Sequence, residues 1–221
     1  MDVNIEHMDV TIEHTTIDIE LKDVTLKGEW SLPINAIGLV IFSHRKSGSR
    51  LSSRNKIAAK YFQKNGLSTI FLDLLTEEEG RVYENRINIE LFAKRLVNVT
   101  QWMETYNEVH DLPIWYFGAS TGATSVLRAK GEVTAIASYK GSLDFNLDQV
   151  TASSLLISGG KDSSVLEFNK KAYQNLTFDR RLEIILNATD LFEETVELEE
   201  VVMISANWFD EKMKSKILDY V

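Results

Sequence analysis

WYFGASTGATS, residues 115–125, sets a serine between two glycines at the end of an apolar run. The run gives way at Gly118-Ala119-Ser120-Thr121-Gly122 to small residues, which predicts a strand turning sharply into a helix with Ser120 at the bend. In such a turn the positions two residues either side of the serine press against neighbouring backbone, where a β-carbon would clash, so glycine at 118 and 122 has a mechanical reason. The Thr121 N–H, at the start of the helix, would face an oxyanion formed near the serine and be helped by the helix dipole. The blander alternative is a plain tight turn in which the Ser120 hydroxyl caps the helix.

Outward from this stretch, short and mostly apolar runs with little alternation lie at 37–43, 67–75, 113–120, 133–139, 153–160 and 182–188. They read as strands buried on both faces. Before them, TIDIELKD and VTLKGEWSLP, from residue 16, alternate as an edge hairpin would. Between the runs, Ile89, Phe92, Leu96, Val99 and Met103 recur at helical spacing, and Leu198, Val202, Ala206, Phe209 and Met213 do so again near the end. This last segment opens on ELEE and carries lysines 212, 214 and 216 towards its end, as the helix dipole prefers. Strands alternating with helices predict an α/β protein with a mostly parallel central sheet, helices on both faces and an N-terminal antiparallel hairpin. The connection between the runs at 133 and 153 is too short for a lid domain. Residues 15–221 are therefore expected to form one domain, preceded by an arm, 1–14, in which MDVNIEH is repeated at once as MDVTIEH.

The formal charge of −9, from 33 acidic and 24 basic residues, repels phosphate backbones and anionic lipid, so neither nucleic acid nor membrane is an expected partner. Cysteine is absent, which rules out thiolate chemistry and disulfides and suits a cytoplasmic setting. His7 and His14, seven apart, lack a third ligand in view, so no metal or other cofactor is assigned.

Further motifs carry a resemblance. SRLSSRN (49–55), FLDLLTEEE (71–79), FGASTGA (117–123), ISGGKDSSV (157–165) and NATDLFEE (187–194) together resemble the dienelactone-hydrolase-like group of α/β-hydrolases, in particular its small, lidless serine members. The resemblance implies Ser120 as nucleophile, Asp162 as acid and a small ester or lactone as ligand. It also implies a histidine within an A-T-H-L-F-E-E loop before the last helix. Here that loop reads ATDLFEE, and residue 190 is aspartate.

The four histidines, His7, His14, His44 and His110, all precede Ser120, whereas the chain order in this fold is nucleophile, acid, base. His110 comes just before the elbow strand, and the length of that strand puts it at the opposite edge of the sheet from Ser120. His44 falls in the loop that the family uses for its oxyanion hole, a supporting position. In that loop HRKSGSR stands where the family pattern is glycine-rich, so Arg45 and Lys46 become candidate anion-stabilising groups. Asp190 in the histidine's seat would confront Asp162, and two carboxylates at close range share a proton, enclose a cation or move apart. A cation held by Asp162, Asp190, Glu193 and Ser120 is the poorer reading for an acidic protein, and Asp144 is an alternative acid that leaves the base missing. Two functions stay open: an ester hydrolase with weak or atypical activity, and a non-catalytic scaffold that binds a small molecule or a protein.

Overall fold

The computed structural model describes residues 12–44, 53–129, 133–141, 147, 150–189 and 191–218. Two antiparallel strands, β1 (Ile12–Glu20) and β2 (Thr25–Pro33), open the sheet. They are followed by β3 (Gly38–His44), β4 (Leu67–Asp73), β5 (Ile114–Ala119), β6 (Ala135–Tyr139), β7 (Ser153–Gly159) and β8 (Arg180–Ile185). Their order across the sheet is β1-β2-β4-β3-β5-β6-β7-β8, with β2 antiparallel to β4 and every pair from β4 to β8 parallel. This is the mostly parallel sheet with an N-terminal hairpin that the runs of sequence predict. β1 starts at Ile12, paired with Pro33, so the end of the repeated heptapeptide already belongs to the hairpin, whose alternation extends back into it.

The helices are α1 (Ser53–Lys64), α2 (Glu77–Arg81), α3 (Ile89–Met103), α4 (Thr121–Arg128), α5 (Ser163–Asn175) and α6 (Thr195–Leu218). They divide the core between the two faces of the sheet. On one face Phe92, Leu96, Val99 and Met103 of α3 pack with α4 and α5 against Ile41, Ile70, Tyr116 and Leu156. On the other, Phe62 of α1 and Val202, Trp208 and Phe209 of α6 cover Phe42, Trp115, Phe117 and Ile157. Strands covered on both faces lose their alternation, which explains β4, where every residue is buried. The α3 stripe is fully enclosed and the helix begins on Asn88, whose side chain accepts the Leu91 N–H (3.0 Å). No helix among the described residues is long and apolar enough to cross a membrane.

The segment after β4 is held from α3. Thr76 and Glu79 form a capping box at the start of α2, and Arg95, buried on α3, donates to the Glu79 carboxylate (2.7 Å) and to the Leu74 carbonyl. The Arg95 hydrogen bond is the main reason the Glu79 carboxyl lies below its ordinary value of 4.5, against an opposing contribution from burial. A depressed carboxyl stabilises the fold above its unfolded value, and that contribution disappears as pH falls through the folded value. Glu79→Gln is therefore expected to lower the melting temperature at pH 7, with the gap to the parent closing at acid pH once the folded carboxyl is protonated. Thermal melts at both pH values check this, and an equal gap at both would refute the ion pair's role.

Candidate active site

The carboxyl ends of the parallel strands come together around Ser120, between β5 and α4. Ser120 is exposed and has φ 56°, ψ −121°, a left-handed conformation that costs a non-glycine residue about 1–3 kcal/mol. Its side chain makes no capping hydrogen bond to α4, so the turn does not exist to cap the helix. The bend is jammed against the sheet: a β-carbon at Gly122 would lie 2.1 Å from the Ser43 carbonyl oxygen, and one at Gly118 would lie 2.6 Å from that of Gly122. Two hydrogen bonds lock the contact. The Ser43 and Ser125 hydroxyls lie 2.8 Å apart, and Ser125 donates to the Gly122 carbonyl (2.9 Å). The Ser120 N–H donates to the Tyr139 carbonyl (3.2 Å) at the end of β6. Thr121 is the first residue of α4, where helix N–H groups have no partner within the helix.

Asp162 stands just before α5, after the end of β7, two strands from Ser120 and about 10 Å away at the usual strand spacing. It is half-buried and does not cap α5 with its side chain. The turn that carries it is tied to the loop after β8: Gly160 N–H donates to Ile185 (2.9 Å) and Lys161 N–H to Ala188 (3.0 Å). A β-carbon at Gly160 would lie 2.8 Å from the Leu186 backbone, so this contact also needs glycine. Beyond residue 190 the loop is fixed by Arg54 of α1, which donates to the Leu191 carbonyl (2.7 Å), and by Phe192, buried at φ 46° against Tyr139. The acid turn and both flanks of the base loop are thereby brought to one place. Asp190 itself lies outside the described residues, as do Arg45, Lys46 and Asp144, and of His44 only the backbone, ending β3, is described.

His110 is held away from the site, before β5, with Nδ1 2.9 Å from the Asn107 carbonyl and Nε2 2.9 Å from Asp111. Tyr139 lies beside the elbow, but burial pushes its phenol up to about 12, more than the nearby Arg54 lowers it. It is therefore neutral at physiological pH and cannot act as the missing base. Among the described residues no group of three or more His, Asp or Glu could hold a metal ion. The sequence reading did not single out Arg54, Tyr139 or Lys140. Lys140 has φ 56° and directly follows the strand that anchors Ser120, but nothing in its sequence neighbourhood signals a strained backbone.

This arrangement has solved counterparts. The crystal structure of the dienelactone hydrolase of Anabaena variabilis superposes with a TM-score of 0.83, at 35% identity over 90% of this chain and 98% of that one. The chain belongs to the dienelactone-hydrolase-like α/β-hydrolases. A dienelactone hydrolase-like promiscuous phosphotriesterase from metagenomic libraries shares the fold at a TM-score of 0.74 and 14% identity, over 90% of this chain and 98% of its own. Two Mycobacterium tuberculosis proteins, from strains H37Rv and CDC 1551 and provisionally named phosphoribosyl transferases, are 39% identical over 193 residues, or 84% of this hydrolase-fold chain. The chain spans only 44% of their length. No protein-family model matches the chain.

Proposed function

We propose that the chain is a serine hydrolase of the carboxylic-ester class, acting on a small ester or lactone through Ser120, with turnover that is weak or atypical because residue 190 is aspartate. The observation that carries this reading is the strained backbone of Ser120, kept against its cost although the hydroxyl caps nothing. In this reading Ser120 takes the acyl group, the Thr121 N–H faces the oxyanion, and Arg45, Lys46 and His44 lie in the loop that completes the anion site. Asp162 keeps its place as the acid. With aspartate at 190 the histidine's place offers only a carboxylate, a poor base for a hydroxyl at neutral pH. The exposed Val82, Tyr83 and Ile87, on the segment that follows β4 at the same edge of the sheet, give the substrate an apolar rim.

Asp190 also favours a second reading, a scaffold that binds its ligand without turnover. Treating the parent and Ser120→Ala with an activated aryl ester separates the two. Ester cleavage by the parent at least about tenfold above the Ser120→Ala variant supports the hydrolase. Equal rates would leave the binding scaffold. Phosphoribosyl transfer is not proposed for this chain, because the matched region has the dimensions of a complete hydrolase and the M. tuberculosis proteins are more than twice as long as that region. The absence of cysteine fits a cytoplasmic, reducing setting.

A further inference from the structure

Among the described residues the sheet ends on β8, which pairs with β7 on one side and with no strand on the other. A free strand edge is a template for another strand unless something blunts it. Exposed apolar side chains lie at and beside this edge: Ile184, 36% exposed, within the strand, Phe178, 53%, in the bend before it and Leu186, 76%, in the turn after it. The backbone bonds show which groups face outwards. The Asp179 and Ile185 carbonyls are taken by Ser154 and Gly160, on the β7 side, so the odd-numbered residues of β8 face β7. The N–H and carbonyl groups of Arg180, Leu182 and Ile184 therefore point away from the sheet.

We infer that β8 pairs antiparallel with β8 of a second copy of this chain, about a two-fold axis at Leu182, to make one continuous sheet. The sequence around that axis is self-complementary. A two-fold at 182 sets the outward-facing residues opposite one another as hydrogen-bonded pairs, Leu182 with Leu182 and Arg180 with Ile184. The same register sets Arg181 opposite Glu183, twice, in the closer non-hydrogen-bonded position where opposite charges attract. Just outside the paired strands it brings the bend at Phe178 towards the turn at Leu186 of the second copy, twice. Neighbouring registers lack this match: an axis at 181 opposes Arg181 to itself, and one at 183 opposes Glu183 to itself.

The side-chain faces agree. Arg181 reaches Glu211 of α6 (2.9 and 3.1 Å) and Ile185 belongs to the core under α6, so Glu183, between them in strand alternation, points to that side as well. Leu182 packs towards the opposite core, on the side of α5. Arg181 keeps guanidinium donors beyond the two that serve Glu211, so it can accept Glu183 of the second copy without releasing α6. The paired stretch, from Arg180 to Ile184, extends about 17 Å.

Light scattering coupled to size-exclusion chromatography tests this on the full chain. The parent is expected at twice its monomer mass at about 100 µM. Glu183→Arg and Arg181→Glu each place like charges opposite one another and are expected to run as monomers with native circular dichroism. Their equimolar mixture restores both Arg–Glu pairs and is expected to recover the dimer. A monomeric parent at that concentration, a Glu183→Arg variant that stays dimeric, or a mixture of folded variants that stays monomeric would each overturn the inference.

Discussion

Asp190→His is expected to raise the rate at which a fluorophosphonate labels Ser120 by at least about a thousandfold, and hydrolysis of an activated aryl ester by a similar factor. The physical ground is that most of the machinery is already in place. Ser120 is held in its strained bend, and the turn carrying Asp162 is hydrogen-bonded to the loop that carries residue 190. An imidazole at 190 supplies a base with a pKa near 6.5, close to working pH, where a carboxylate of ordinary pKa near 3.9 is too weak. It is also longer than an aspartate, so it can touch the hydroxyl and the acid together. Removing the histidine from a serine hydrolase costs on the order of a millionfold in turnover, and a thousandfold gain allows for HRKSGSR standing where the family pattern is glycine-rich. Asp190→Asn is the control: it removes the carboxylate without adding a base, and its labelling rate should stay at the parental level. If Asp190→His labels no faster than Asp190→Asn, the base is not what the parent lacks.

Gly122→Ala is expected to destabilise the fold by at least about 3 kcal/mol, a fall in melting temperature of roughly 6–12 °C for a chain of this size. The added methyl would lie 2.1 Å from the Ser43 carbonyl oxygen and 2.9 Å from its carbon. Both are backbone atoms of a strand paired on either side, so neither can swing away as a side chain would. Relief requires α4 to lift off β3, which breaks the contact between Ser43 and Ser125 and unseats Ser120. Gly80 provides the comparison, since a β-carbon there meets nothing within 4 Å and Gly80→Ala should be neutral or slightly stabilising in α2. A melting temperature for Gly122→Ala within about 2 °C of the parent would show that the elbow is not packed as described.

Much of this architecture is legible in the sequence because its causes are local. Two glycines flanking Ser120 follow from a bend that leaves no room for a β-carbon, and the spacing from Ile89 to Met103 coincides with α3 because one helical face is buried from Phe92 to Met103. The start of β8 was harder to read. Arg180 and Arg181 belong to the strand, but at a sheet edge they stay partly exposed and break the apolar run that marks the inner strands. The supports of the site are legible only in three dimensions. Arg54 reaches Leu191 across 137 positions of sequence, and Arg95 holds Glu79 from the next helix.

The sequence by itself determined the order of strands and helices, the place of the bend at Ser120 and the identity of residue 190, because each depends on residue type and short-range spacing. Tertiary structure alone decided that the turn carrying Asp162 and the loop after β8 share backbone hydrogen bonds, that burial raises the Tyr139 phenol further above its ordinary value, and that β8 is the last strand of the sheet among the described residues, with its polar backbone turned outwards. Those outcomes depend on which distant segments meet, and burial, field and hydrogen-bond supply at any residue are set by the neighbours that folding brings to it.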